Sequence, residues 1–210
     1  MAVAVLKPVT NGRAYISGSV GPTGKILEPY GDAPQEVSAE AFSRQIGALV
    51  QAGVDFVCVE TMIDLREAEL AVRAARSHSA EIPLIATLTF DATPRGFFTT
   101  MGNSVEQACM TLVEAGADIV GSNCGNGTDT MIEIAAEFTK HASVPVIIQS
   151  NAGLPENRGG ELLYPESPDF MGERVSRLMD LGVGIIGGCC GTTPDHIHAI
   201  RTAIDQSRHE

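Results

Sequence analysis

Three cysteines follow two apolar runs of the chain, and their type and position suit a metal site. Cys124 comes shortly after IVGS, and Cys189 and Cys190 come directly after IIGG. If both runs are strands of one parallel sheet, three thiolates can surround one Zn²⁺ at about 2.3 Å and leave the fourth tetrahedral position open. A zinc site with an open position is typical of catalysis.

A cysteine taken alone is more often a small buried apolar residue than a metal ligand. We expect this for Cys58, which would point into the interior of the fold, and for Cys109, which lies in a helical pattern. The adjacent pair is different, because Gly187 and Gly188 remove side chains from the strand end. The backbone can then turn there and present two consecutive sulfurs to one centre.

Further polar residues stand at the ends of other apolar runs. Glu60 follows FVCV, Asn123 precedes Cys124, and Asn151 follows VIIQS. In a barrel of parallel strands the carboxyl ends share one mouth, where the catalytic residues of that architecture lie. We therefore predict that these residues and the three cysteines form one site.

The elements that must position this site are short β-branched runs alternating with helical patterns. Asp64 and Thr193, the latter followed by Pro194, are suited to begin helices, and Ser38 begins an amphipathic stretch. The phrases QAGVDFV, EAGADIV and DLGVGII each carry a glycine that can end a helix in the left-handed conformation: Gly53, Gly116 and Gly182. The six predicted strands are Tyr15–Val20, Asp55–Thr61, Pro83–Phe90, Asp118–Cys124, Pro145–Asn151 and Gly184–Cys190.

Regular strand–helix units predict an α/β fold of the TIM type, a (β/α)₈ barrel, in one domain spanning residues 1–210. Only six of the eight units can be identified. The missing two would precede Tyr15, because the last helical pattern is followed only by the polar tail DQSRHE. We therefore expect an incomplete barrel, truncated at its N-terminus, whose exposed strand edge favours association or a chain that completes it.

Charge and composition exclude several classes of protein. Lys and Arg number 14 against 26 Asp and Glu, and the net charge of −12 opposes nucleic-acid binding. An odd number of cysteines, five, does not suit a secreted disulfide framework, and MAVAVLKPV lacks the basic flank of a signal peptide. No apolar run approaches the ~18 residues of a membrane helix. We expect a cytoplasmic protein with no nucleic-acid or membrane partner.

Several motifs together resemble one enzyme family. ISGSVGPTGKILEP, VET, GSNCG, SNAGLP and above all GGCCGTTPDHI resemble the zinc-dependent homocysteine S-methyltransferases, and most of all the homocysteine-binding module of cobalamin-dependent methionine synthases. The resemblance runs from about Tyr15 to Ile200. The D-G-A-x-G turn that members of the family carry at the end of the first strand is missing here.

The resemblance implies a (β/α)₈ barrel that transfers a methyl group to homocysteine and forms methionine. It implies Zn²⁺ bound by Cys124, Cys189 and Cys190, an ammonium anchor at Glu60, and Asn151 as the fourth ligand when substrate is absent. Asn123 is placed with the substrate-binding residues. The motifs favour a methylcorrinoid, such as methylcobalamin, as the donor, supplied by a partner in trans.

Physical chemistry supports this ligand set independently. Methyl transfer needs a thiolate at neutral pH, although a free thiol has a pKa of about 8.5. Coordination to a metal deprotonates the thiol, and three cysteine thiolates balance the dication so that the bound sulfur can still attack carbon. The work left to the protein is alignment of the nucleophile with the methyl carbon.

Two other functions stay open at this point. GGCCGTTP before a helix could bind phosphate in a barrel enzyme, although no Lys or Arg lies nearby to match the charge. Alternatively, the cysteines could serve a non-catalytic zinc or redox scaffold, or an inactive fragment. His196 and His198 lie on different faces of the predicted helix and are assigned no metal role.

Overall fold

The structure is a computed structural model that describes residues 2–207, in which strands and helices alternate along the chain. The strands are β1 (Ser17–Val20), β2 (Phe56–Met62), β3 (Leu84–Leu88), β4 (Asp91–Thr93), β5 (Gly96–Phe98), β6 (Ile119–Asn123), β7 (Val146–Ser150), β8 (Glu156–Arg158), β9 (Glu161–Leu163) and β10 (Ile185–Gly188). The helices are α1 (Ala2–Thr10), α2 (Gln35–Ala52), α3 (Leu65–His78), α4 (Val105–Ala115), α5 (Thr128–His141), α6 (Pro168–Gly172), α7 (Val175–Asp180) and α8 (Pro194–Ser207).

The six predicted strands form one sheet in the order β1-β2-β3-β6-β7-β10, and every neighbouring pair is parallel. The sheet curls into a half-barrel, which confirms the predicted incomplete TIM barrel. β1 and β10 are its two edges among the described residues. That residues 1–210 form one domain stays a prediction.

The helix ends follow the local signals in the sequence. Gly53, Gly116 and Gly182 have φ of 78°, 114° and 85°, the left-handed conformation expected of them. The Asp64 carboxylate accepts a hydrogen bond from the Arg66 backbone N–H at 2.9 Å and caps α3.

Two helix boundaries differ from the prediction, and one helix was not predicted. α2 begins at Gln35 after Pro34, so Ser38 lies inside the helix as a buried residue. α8 continues to Ser207, which makes the beginning of the predicted polar tail helical, and residues 208–210 lie outside the described residues. α1, with Pro8 inside it, was not anticipated.

The main apolar core lies between the convex face of the sheet and the helices. Side chains of β2 alternate between the two faces of the sheet. Val57 and Val59 point to the convex face and are fully buried in this core. Phe56 and Cys58 face the concave side, as predicted for Cys58, which packs with Ile85 and Ile147. Burial, with a smaller effect of the Glu60 charge, raises the Cys58 pKa to about 12.

Two hairpins extend from the half-barrel beyond the carboxyl ends of its strands. β4 pairs with β5 after β3, and β8 pairs with β9 after β7. Both pairs are antiparallel and three residues long on each side. Among the described helices, none combines the length and apolar character needed to cross a membrane.

Candidate metal centre

The three predicted cysteines come together at the carboxyl ends of β6 and β10. The sulfurs of Cys124, Cys189 and Cys190 all lie within 4.8 Å of one another. The Cys124 and Cys190 sulfurs are 3.7 Å apart. Two sulfurs bound tetrahedrally at about 2.3 Å from one zinc ion would be about 3.8 Å apart, so the donor set fits Zn²⁺.

The backbone at Cys124 turns sharply where β6 ends. Cys124 has φ of 61°, an uncommon left-handed conformation for a residue with a side chain, and Gly125 follows with φ of 75°. The Cys124 N–H donates to the Gln149 carbonyl of the neighbouring strand at 3.1 Å. The sheet therefore holds the turn that presents this sulfur.

The adjacent pair is fixed by hydrogen bonds to the chain that follows β7. The Cys189 N–H donates to the Ser150 carbonyl at 2.7 Å, and the Cys190 carbonyl accepts from the Ala152 N–H at 2.9 Å. A Cβ atom at Gly188 would lie 2.5 Å from Cγ2 of Thr192. The glycine before the pair thus leaves room for the tight loop, as the sequence pattern indicated.

Asn151 and Asn123 both contact this loop from buried positions. The Asn151 side-chain oxygen accepts from the Cys190 backbone N–H at 3.0 Å. The Asn123 side-chain nitrogen lies 3.7 Å from the Cys189 sulfur as a hydrogen-bond donor. These two asparagines are 4% and 1% exposed. Both therefore lie close enough to position the cysteines.

Asn123 is itself held by two threonines that the sequence analysis did not single out. Its side-chain oxygen accepts from the Thr61 N–H and the Thr87 hydroxyl, each at 2.7 Å. Thr61 has φ of 60°, a strained conformation for a β-branched residue, at an irregularity of β2. The strain lies beside the site, as is common for functional positions.

Glu60 lies on the concave side of the half-barrel, next to this irregularity. Its carboxylate accepts a hydrogen bond from the Ser19 hydroxyl of β1. Both residues line a cavity of about 780 Å³ whose wall includes isoleucines from four strands: Ile85, Ile119, Ile147 and Ile185. The ionisable side chains lining this cavity include the carboxylates of Asp55 and Glu60 and neither Lys nor Arg, so within the described residues the cavity favours a cationic group.

The surroundings of Cys189 and Cys190 favour the protonated thiols, so the pKa values of both are raised. Burial is the main cause that raises the Cys189 pKa to about 12, and the nearby Cys124 adds to it. Burial and the hydrogen bond with Cys124 also raise the Cys190 pKa. Three adjacent thiolates repel one another, so a bound dication is needed to make all three ionise together.

A tyrosine from the hairpin side of the mouth was missed by the sequence analysis. Tyr164 follows β9, and burial together with the nearby Cys190 raises the pKa of its hydroxyl. Its ring lies against Gly191, where a Cβ atom would be 2.1 Å from Cγ of the tyrosine. No local spacing in the sequence could indicate this contact, because the hairpin brings it about.

His196 has a structural position away from the sulfurs. Its Nδ1 accepts from the Thr193 N–H at 3.1 Å, and its Nε2 lies 2.9 Å from the Glu166 carbonyl. The Glu166 carboxylate in turn accepts from the Thr128 N–H at the start of α5. These bonds join the starts of α5 and α8 to the segment after β9.

The chain has measurable similarity to known proteins. The family model described as homocysteine S-methyltransferase matches residues 1–204. The methionine synthase of Mycobacterium leprae is 32% identical over 197 residues, which make up 91% of this chain and 16% of that protein. The chain thus spans a small part of the length of this relative.

Solved structures agree on the fold. The homocysteine methyltransferase MmuM from Escherichia coli in its apo form matches with a TM-score of 0.72 at 18% identity, over 96% of this chain and 67% of that one. Its metallated form matches with a TM-score of 0.68 at 19% identity, over 96% and 65% of the two chains. Because the family model covers nearly all of the sequence, the chain belongs to the homocysteine S-methyltransferase family.

Proposed function

We propose that this chain carries the zinc-dependent homocysteine S-methyltransferase site, which methylates homocysteine to methionine. The observation that carries the proposal is the spacing of the sulfurs of Cys124, Cys189 and Cys190, which suits one tetrahedral zinc ion. Family membership supports the same reaction over a phosphate-binding site in the GGCCGTTP loop.

In this proposal the three cysteines hold Zn²⁺ and leave one position for the substrate. When bound, the ion lowers the pKa of a coordinated thiol, so homocysteine is a thiolate at neutral pH. The substrate sulfur then forms a bond to the methyl carbon as the bond from that carbon to the donor breaks.

The remaining residues bind and orient the substrate. Glu60 accepts hydrogen bonds from the ammonium group of homocysteine, and its place in an acidic cavity supports this role. Asn123 donates a hydrogen bond to the Cys189 sulfur and thereby positions this sulfur next to the bound amino acid. Asn151 holds the Cys190 loop and provides the fourth ligand when substrate is absent.

The proposed donor is a methylcorrinoid such as methylcobalamin, presented by a partner or by a region outside these 210 residues. Similarity to a methionine synthase supports this choice over other methyl donors. The reduced cysteines of the described chain suit a cytoplasmic site.

We also propose that two further β/α units complete the barrel by pairing with β1 and β10. Apolar side chains are exposed in α1 and just before β1: Val5 and Val9 of α1 are 65% and 68% exposed, and Tyr15 is 84% exposed. A single added strand could pair with β1 but would leave Val5 and Val9 of α1 uncovered. The exposed side chains therefore suit a strand with its own helix.

The proposed function is tested by zinc content and by homocysteine titration with detection of released protons. Wild-type protein is expected to bind about one zinc and release protons on adding homocysteine, whereas Cys190→Ser loses both. Cys109→Ala, which removes a buried thiol of α4, controls for loss of a cysteine.

Two results would overturn parts of this proposal. Full zinc stoichiometry in Cys190→Ser would overturn the ligand assignment. The second test uses a protein to which the two missing β/α units have been added. If it binds zinc tightly but neither releases protons with homocysteine nor accepts a methyl group from methylcobalamin, the site is a scaffold.

A further inference from the structure

Gln149 of β7 is hydrogen-bonded through its backbone to Cys124 and has no role in the proposal so far. Its backbone carbonyl accepts from the Cys124 N–H, and it is in register with Asn123 on one side and Gly187 on the other. A Cβ atom at Gly187 would lie 3.3 Å from Cγ of Gln149. The missing side chain of Gly187 thus gives the glutamine its space on the concave face.

The side-chain oxygen of this residue lacks a partner. Among the described residues, Oε1 of Gln149 is the buried side-chain oxygen or nitrogen without a hydrogen bond. Buried polar atoms are nearly always bonded, and an orphaned one is costly. The terminal torsion of glutamine has a broad energy profile, so rotation can bring this oxygen toward the cavity that the residue lines.

The charge of the cavity selects the group that such an oxygen would meet. The ionisable side chains on its wall include Asp55 and Glu60 and, within the described residues, no Lys or Arg. Glu60 is the one of these two groups that lies toward the carboxyl end of β2, and its charge repels a substrate carboxylate and attracts an ammonium group. An ammonium group has three N–H donors, so it can donate to a second acceptor in addition to the Glu60 carboxylate.

We propose that the Gln149 side-chain oxygen accepts a hydrogen bond from the ammonium group of the thiol substrate, with Glu60 as a second acceptor. The two residues then select α-amino thiols over thiols that lack the amine. This inference rests on the proposed function, because it assumes that the substrate sulfur binds at the cysteine site.

The test compares two thiols on the zinc-loaded protein by titration calorimetry. Homocysteine carries the amine, and 4-mercaptobutyrate has the same chain without it. Gln149→Leu is expected to weaken homocysteine binding about tenfold, the usual scale for a hydrogen bond to a charged group, and to leave 4-mercaptobutyrate binding unchanged. Gln149→Glu keeps an acceptor and is expected to retain the homocysteine affinity of the wild type.

Zinc content and thermal unfolding show whether each variant is folded and loaded before the thiols are compared. Equal weakening for both thiols, or no weakening for either, would overturn the inference, and so would loss confined to 4-mercaptobutyrate. If wild-type protein with zinc binds neither thiol, the proposed function fails instead. The two failures are therefore distinguishable.

Discussion

The side-chain oxygen of Asn151 accepts a hydrogen bond from the backbone N–H of Cys190, at 3.0 Å. The bond links the end of β7 to the loop after β10 at the residue whose sulfur lies 3.7 Å from Cys124. Asn151 is 4% exposed, so little water can replace it. The position of one sulfur therefore depends on a neutral side chain from another strand.

Asn151→Ala is accordingly expected to weaken zinc binding by about 10- to 100-fold, because the change removes both the support of the Cys190 loop and the proposed fourth ligand. Competition with a chromophoric chelator measures the affinity. Asn157→Ala, in the exposed β8–β9 hairpin, is the matched control and should bind zinc like the wild type. An unchanged affinity in Asn151→Ala would contradict the positioning role.

Glu60→Ala is expected to weaken homocysteine binding about 10- to 100-fold while zinc content stays the same, because the change removes a charged acceptor and leaves the sulfurs untouched. Calorimetric titration of homocysteine into zinc-loaded protein measures this. Glu36→Ala on the exposed face of α2 removes one negative charge at a distance and should have no effect. Loss of zinc from Glu60→Ala would place the residue in the metal site instead.

The metal-free protein is expected to lose stability as pH rises above about 9. Burial raises the pKa values of Cys58 and Cys109 from 9.0 to about 12, so the folded protein retains protons that the unfolded chain releases. Stability from these two thiols is complete below pH 9 and is lost toward pH 12. Each thiol contributes at most about 1.4 kcal/mol per pH unit.

Urea unfolding with reductant at several pH values measures this slope. Cys109→Ala removes one of the two groups and is expected to reduce the loss of stability with rising pH. An identical slope in this variant and the wild type would show that Cys109 is not the group that titrates.

The 210-residue chain alone is expected to associate with rising concentration. The edge of β1 is unpaired within the described sheet, and Val5 and Val9 of α1 are exposed. Sedimentation velocity measures the assembly, and Val5→Lys with Val9→Lys should reduce it. A monomer at all concentrations, with a cooperative melt, would contradict this prediction.

The strands of the sheet were predictable because their signals are local. β-branched runs preceded by a glycine that ends a helix mark the strands, and Gly53 and Gly116 adopt the left-handed conformation expected from those phrases. α1 was missed because Pro8 interrupts its pattern, although the preceding residues are still helical. The α2 boundary was shifted because the signal at Ser38 is weaker than the effect of Pro34.

The candidate site was predictable in its residues but not in its contacts. Cys124 and Cys190 follow predicted parallel strands, and the carboxyl ends of such strands lie at the same edge of the sheet. The hydrogen bond from Thr61 to Asn123 depends on an irregularity in β2. The contact of Tyr164 with the cysteine loop depends on the β8–β9 hairpin. Neither arises from a pattern within a few neighbouring residues, so the sequence alone gives no signal for them.

Because Cys124 is far along the chain from Cys189 and Cys190, a metal bound by all three would be a cross-link. A small apolar core around Met171 and Ile200 joins α6 to α8, and Cys189 and Cys190 lie between β10 and α8, whereas Cys124 follows β6. A bound ion would therefore join the end of β10 to the end of β6 and restrict the unfolded chain as a closed loop does. Removing the ion should expose the segment after Asn151 to proteases first, which makes cleavage there a direct measure of metal occupancy.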